Sequence, residues 1–197
     1  IPSTFPVSAS SFSFCMSRFL TIFYHDTLAS DKNQMNFVRL WDNFLSKGHY
    51  FMSILSNLSE RLKELMAEAE INTTQLAAQT RLDASVIARL RRAERMPSAA
   101  TLVILADCFH CSADYLIGRK DMPEERTYLQ RPPFSEQLSF LLAHFGVTKY
   151  KLEKDTGLTE ETVNRWHRGR YEPSVESLVR LADYFGCSVD FILGRET

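Results

Sequence analysis

Leu76-Ala-Ala-Gln-Thr-Arg-Leu-Asp-Ala-Ser-Val-Ile-Ala-Arg-Leu90 returns 76 residues later, without a gap, as Leu152-Glu-Lys-Asp-Thr-Gly-Leu-Thr-Glu-Glu-Thr-Val-Asn-Arg-Trp166. Each stretch reads as a short helix, a tight turn and a second short helix. The turns are Gln79-Thr-Arg-Leu-Asp83 and Asp155-Thr-Gly-Leu-Thr159. The inward set Leu76, Leu82, Ile87 and Leu90 becomes Leu152, Leu158, Val163 and Trp166, which would hold the two helices at a fixed angle. The signal is strong because it occurs twice in one register.

The repeat extends outward on both sides. Residues 59–119 align on 135–195 with 23 of 61 positions identical, so each copy tests claims made about the other. The identities include Pro97-Ser98 with Pro173-Ser174, Leu105-Ala106-Asp107 with Leu181-Ala182-Asp183, and Gly118-Arg119 with Gly194-Arg195. A long period seen only twice indicates two similar small domains rather than a solenoid. The expected boundaries are 52–119 and 133–197, joined by a linker at 120–132 and preceded by a poorly ordered extension at 1–51. Domains of this size fold alone only with compact packing.

Both copies read as five helices, an all-α fold with no convincing strand. The first runs from about Leu58 to Ala69, and again from about Ser135 to Phe145, with Leu62, Leu65 and Met66 at amphipathic spacing. Asn72-x-x-Gln75 has the form of a capping box, and Thr148 stands at the equivalent cap. Asp83 and Thr159 are good N-cap residues for the third helix, and Ser98 and Ser174 for the fourth. Ser112 and Ser188 open the fifth, followed by Asp114 and Asp190 in the first turn, where the helix dipole favours negative charge.

With these elements in place, each copy resembles the Cro and lambda-repressor type of helix-turn-helix domain, the XRE family. Leu76-Ala77, Leu82-x-x-Ser85-x-Ile87 and Pro97-Ser98-x-x-Thr101-Leu102 carry the resemblance. So do Leu105-Ala106-Asp107 and Ser112-x-Asp114-Tyr115-Leu116-x-Gly118-Arg119. The matches cover roughly residues 55–119 and 134–196, and imply lambda-repressor-like five-helix domains. They also imply sequence-specific binding of double-stranded DNA through the third helix, transcriptional repression, and a bacterial or phage-encoded cytoplasmic protein. By position, the family's phosphate-contacting start of helix two maps to Thr73 and Lys149.

The third helix has a face suited to that task. At 100° per residue, Val86, Ile87 and Leu90 form one core stripe, and Ala84, Ser85, Ala88, Arg89 and Arg92 lie opposite. The second copy sets Thr162, Val163 and Trp166 inward and Glu160, Glu161, Asn164, Arg165 and Arg168 outward. In a major groove, arginine reads guanine, asparagine reads adenine and a carboxylate accepts from cytosine. Arg89, Arg91, Arg92 and Arg95 concentrate positive charge in a segment, 52–121, whose basic and acidic residues number nine each. Glu160 and Glu161 would repel phosphates, so the second copy serves either DNA or assembly.

The net charge of −1 gives no global attraction to nucleic acid, so any such surface must be local. The family pattern commonly has glycine after the reading helix, and Gly169 fits it. Ala93 would take the left-handed conformation at a cost near 1 kcal/mol, so the first reading helix is expected to run on by a turn, altering the pose of Arg95.

Cys108-Phe-His-Cys111 has C-x-x-C spacing, but Cys108 and His110 correspond to Tyr184 and Gly186. Packing, with reduced thiols, is therefore the reading favoured over metal or redox chemistry. No paired carboxylates, metal spacing, nucleophile–base set or phosphate loop survives comparison of the copies. Neither an enzyme nor a cofactor is expected. Phe12–Tyr24, the most apolar run, contains Arg18 and is too short to span a membrane.

Residues 1–51 are rich in serine and phenylalanine and lack sustained periodicity, although Met35–Phe44 could form a short helix. Met52 is the expected natural start, because Lys47-Gly48 requires purine-rich codons where a bacterial ribosome-binding site would lie. An arm packing on the first domain is the alternative, and N-terminal mass analysis of protein from the native gene separates the two.

The linker, thirteen residues long, spans at most about 43–47 Å. It would let one chain occupy two half-sites as an intramolecular pseudo-dimer. A homodimer through helix five, with Tyr115 or Phe191 exposed, is the other arrangement. A protein–protein module of antitoxin-like or adaptor kind is the alternative function on the same fold.

Overall fold

The computed structural model describes residues 52–124 and 126–196, and these fall in one compact unit. The expectations for 1–51 lie outside the described residues. Helices alone make up the regular structure of the described residues. The first copy contains α1 (residues 52–68), α2 (Thr73–Thr80), α3 (Ala84–Arg91), α4 (Ala99–Cys108) and α5 (Ala113–Leu116). The second contains α6 (Phe134–His144), α7 (Lys149–Thr156), α8 (Glu160–His167), α9 (Val175–Phe185) and α10 (Val189–Leu193). Helix α1 includes residues ahead of Leu58, the expected start, because buried Ile54 and Leu55 continue its apolar stripe.

The caps explain where most of the helices begin. Asn72 and Gln75 close a reciprocal capping box, each side chain bonding the other's backbone N–H at 3.0 and 2.8 Å. Thr148, Thr159, Ser98, Ser174, Ser112 and Ser188 each accept the N–H three residues on. Asp83 is the exception. It occupies the cap position, but its exposed carboxylate makes no cap bond, and α3 starts on backbone bonds from Val86 and Ile87 to the Asp83 carbonyl.

The expected extra turn on α3 does not form. Ala93 adopts φ +55°, and its N–H bonds the Leu90 carbonyl while that of Glu94 bonds Arg89. Gly169 and Arg170 repeat these two bonds on Trp166 and Arg165. Ser59 donates to the Arg91 carbonyl at 2.6 Å, using a helix-end oxygen that a longer helix would need. Fixed tertiary contacts thus outweigh a strain of about 1 kcal/mol.

Leu76, Ile87 and Leu90 are buried in the first copy, as are Leu152, Val163 and Trp166 in the second. Leu82 and Leu158 are partly buried against the same core. Trp166 stands where the first copy has Leu90, and Phe134 where it has Leu58. Their rings meet edge to face at 5.8 Å, while Ile87 shrinks to Val163 nearby. Linked size changes of this kind keep the core filled.

The copies pack directly on each other, α4 against α9 and α5 against α10. The main cross-copy bonds come in pairs related by the 76-residue shift. The Asp190 carboxylate accepts the Ala113 N–H at 2.8 Å, and the Asp114 carboxylate accepts the Val189 N–H at 2.7 Å. Arg119 pairs with Asp183 and Arg195 with Asp107, both at 2.6 Å. Ser98 and Ser174, equivalent residues, face each other in one antiparallel bridge. Such reciprocity defines an approximate twofold axis within a single chain.

Two expectations change as a result. The segment 120–132 is not a free tether: Leu129 N–H bonds the Arg195 carbonyl at 2.8 Å, Arg131 pairs with Glu172 at 2.6 Å and Tyr128 lies under the Arg195 guanidinium at 4.5 Å. Tyr115 is buried rather than exposed, beneath Arg61 at 4.8 Å, and the fifth helices already cover one another. Phe191 is half-buried in a ring cluster with Phe140, His144 and Phe145.

Candidate nucleic-acid interface

Helix α3 is fixed by Ile87 and Leu90, and the opposite face stays open. Ala84, Ser85, Arg89 and Arg92 are exposed, with Ala88 half-buried beside them. Arg89 makes no ion pair among the described residues, and neither does exposed Arg95 just past the helix. Arg92 holds both oxygens of Glu94, at 2.6 and 3.1 Å, and keeps that carboxyl below the usual carboxylate range. Both side chains are exposed and water and salt screen the pair, so a phosphate or base can displace Glu94 at little cost.

Arg91, the fourth member of the basic cluster, turns inward. It donates to the Thr73 hydroxyl at 2.8 Å, linking α3 to the start of α2. A hydroxyl that accepts one bond still has its own proton to donate, so Thr73 remains equipped for a phosphate oxygen. Lys63 on α1 joins Ala88, Arg91 and Arg92 around a shallow depression beside α3.

The same face of α8 is chemically different. Glu160, Glu161, Arg165 and Arg168 are exposed and Asn164 is half-buried. Arg165 pairs with Glu161 at 2.5 Å, one turn away, and lies 5.2 Å from the Tyr171 ring. Asn164 accepts from Lys149 at 3.5 Å and reaches Glu160 at 3.4 Å. Lys149 therefore occupies the position of Thr73 and bonds to α8 as Thr73 bonds to α3. Arg168 makes no ion pair among the described residues, and neither does Arg170.

Ala84, Ser85, Ala88, Arg89 and Arg92 share one side at α3, Glu160, Glu161, Asn164, Arg165 and Arg168 the corresponding side at α8, and Thr73 and Lys149 bond to their margins, whereas Arg95 lies past the helix end. The fold also adds three that periodicity did not single out. Lys63 is a lone lysine on α1, invisible without the packing of α1 on α3. Arg91 was one of a run of arginines whose different directions depend on where the helix ends. Arg170 had a sequence signal: it stands where the first copy has Glu94, a reversal of charge at the mouth of the face.

The three described cysteines, Cys108, Cys111 and Cys187, lie outside α3 and α8. Cys111 lies near Asp190 and Arg195, and burial pushes its thiol up to about 12. Cys187 lies near Asp114 and Arg119, and burial raises its thiol to about 11. Both are packed where the copies meet, and Cys108, half-buried, has its thiol 3.7 Å from Gln79. Among the described residues no group of histidine, cysteine and carboxylate side chains forms a metal site, and no helix is long and apolar enough to cross a membrane.

Comparison with known families agrees with this geometry. A Cro/C1-type helix-turn-helix DNA-binding domain matches residues 61–121, and a helix-turn-helix family matches residues 140–192. Neither a curated protein nor a solved structure matches the chain. Domains of this kind are the mark of DNA-binding regulators in general. With one match on each copy of the repeat, the chain is a tandem helix-turn-helix protein of the Cro type.

Proposed function

We propose that this chain is a cytoplasmic, sequence-specific transcriptional repressor that reads the major groove of double-stranded DNA with α3 and, on the same duplex, with α8. The observation that carries the reading is the face of α3: Arg89 and Arg92 project from a helix whose other side is locked by Ile87 and Leu90. Arg89 and Arg92 would bond guanine edges, Ala84 and Ala88 would sit against thymine methyls, and Ser85 would bond either partner. Thr73, Lys149, Arg95 and Arg170 would hold phosphates, which set register rather than sequence. The chemistry is recognition rather than catalysis, and the two copies of one chain take the place of a homodimer.

A second reading rests on α8. Its Glu161–Arg165 pair and Lys149–Asn164–Glu160 chain satisfy one another without a partner. That suits a protein-binding module of antitoxin-like or adaptor type. Salt separates the readings. Binding of a duplex, followed by fluorescence anisotropy, should weaken with a log–log slope of about −0.9 per neutralised phosphate. A partner protein captured with a flat salt response, and no duplex bound at low salt, would favour the second reading.

A further inference from the structure

Two facts bear jointly on what a single chain can recognise. The first is the twofold relation: Ser98 meets Ser174, Asp114 and Asp190 exchange backbone N–H groups, and Arg119 and Arg195 cross to Asp183 and Asp107. The second is that the faces carried on that symmetrical frame differ in chemistry. Three of the five outward positions have changed, Ala84 to Glu160, Ser85 to Glu161 and Ala88 to Asn164, while Arg89 and Arg92 recur as Arg165 and Arg168.

The axis also limits how far apart the reading helices lie. Helix α3 ends at Arg91 and α8 at His167, each seven residues before the serine that meets its counterpart. Seven steps of chain reach at most about 25 Å, so both helix ends flank the same point on the axis. With about 5 Å between the bridged serines, their separation is bounded at about 55 Å, and adjacent major grooves on one side of a duplex lie about 34 Å apart. A plain tandem repeat on a tether would read two half-sites in the same direction. A twofold axis reverses the second reader, so its half-site is inverted.

We propose that one chain, acting as a monomer, recognises a single non-palindromic operator made of two inverted and unlike half-sites. The half-site under α3 is specified through arginine, serine and alanine; the one under α8 through asparagine, glutamate and arginine. This rests on the DNA-binding reading above and adds the class of target to it. The fifth-helix surfaces are spent inside the chain, so pairing of two chains through them is not needed to make a two-part site.

The test is selection of bound duplexes from a random library with the full chain, with stoichiometry measured by native mass spectrometry. The expected result is one chain per duplex and two specified blocks about one helical turn apart. Arg89→Ala should relax one block and Asn164→Ala the other, each by roughly 10-fold per altered base contact. The triple variant Glu160→Ala, Glu161→Ser, Asn164→Ala gives α8 the outward residues of α3 at those positions. Its selected site should become a palindrome of the first block, still bound by one chain. A direct repeat from the triple variant overturns the inverted geometry. A palindrome from the unaltered chain at two chains per duplex, or one block only, overturns the monomer reader while leaving DNA binding intact. Failure to enrich any sequence overturns both.

Discussion

Asp114 and Asp190 cap each other's helices. The Asp190 carboxylate takes the N–H of Ala113, the first residue of α5, and the Asp114 carboxylate takes that of Val189, the first residue of α10. Ser112 and Ser188 take the third N–H of the same helices. Each acid was expected to favour the dipole of its own helix. Each instead also satisfies an orphan donor of the other copy, and both aspartates are buried as a consequence.

Asp114→Ala should therefore destabilise the chain by about 2–4 kcal/mol, because it strands a buried N–H and removes one of the two carboxylates paired with Arg119. Urea unfolding reads this directly. A change below about 0.5 kcal/mol would show that the cross-copy caps are decorative.

Arg195 and Arg119 occupy equivalent places, but a single chain has only one linker, and it covers Arg195. The Arg195 side chain is 0% exposed against 22% for Arg119. Arg195→Ala should cost about 3–5 kcal/mol by leaving Asp190 buried without its ion pair. Arg119→Ala should cost clearly less. Equal losses in parallel urea titrations would contradict the asymmetry.

Ala93 holds a left-handed backbone that glycine adopts without strain. Ala93→Gly should stabilise by about 0.5–1 kcal/mol, and Gly169→Ala should destabilise by a similar amount. A new Cβ at Gly169 would meet only the Ser135 hydroxyl, at an ordinary 3.5 Å, so backbone strain is the whole effect. Thermal melts of the two variants should move in opposite directions.

Burial pushes Asp190 up to about 6, against an ordinary aspartate at 3.8, and outweighs the attraction of Arg195. Between those values the folded chain keeps a proton that the unfolded chain has lost. Stability contributed by this group is fullest below about pH 4, declines as pH rises to about 6 and is level above it. The span corresponds to on the order of 3 kcal/mol. Unfolding free energies of the parent and Asp190→Asn, measured from pH 4 to 7.5, should differ by an amount that changes across that window. A constant difference would refute the assignment.

Arg89→Ala with Arg92→Ala should lower operator affinity by 100-fold or more, with helicity and melting temperature nearly unchanged, because both side chains are exposed and Arg92 contributes only a surface ion pair. Unaltered affinity in an anisotropy titration would remove α3 from the interface.

Much of this molecule was legible in its residues. The helix-turn-helix cores, seven of the eight expected caps and the outward faces of α3 and α8 followed from spacing, because each depends on neighbours within one or two turns of chain. Repetition in the same register supplied an internal check. Asp83 holds the expected cap position without a side-chain bond, and Ala93 was misjudged because whether an end residue bends left-handed depended on contacts such as Ser59 to the Arg91 carbonyl, 32 residues away.

The sequence by itself determined two helix-turn-helix copies of the Cro type with a common scaffold and divergent outward faces. Only the tertiary structure decided how they are joined. The linker looked like a tether because its charges and prolines carry no periodic signal, and Asp107, Asp114, Asp183 and Asp190 looked like ordinary helix acids. Their partners lie 64 to 88 residues away, brought together by packing that no local pattern encodes. Once docked, buried Asp114 and Asp190 take backbone N–H groups of the other copy, Asp107 and Asp183 pair with Arg195 and Arg119 across the axis, and the repeat becomes an approximate twofold.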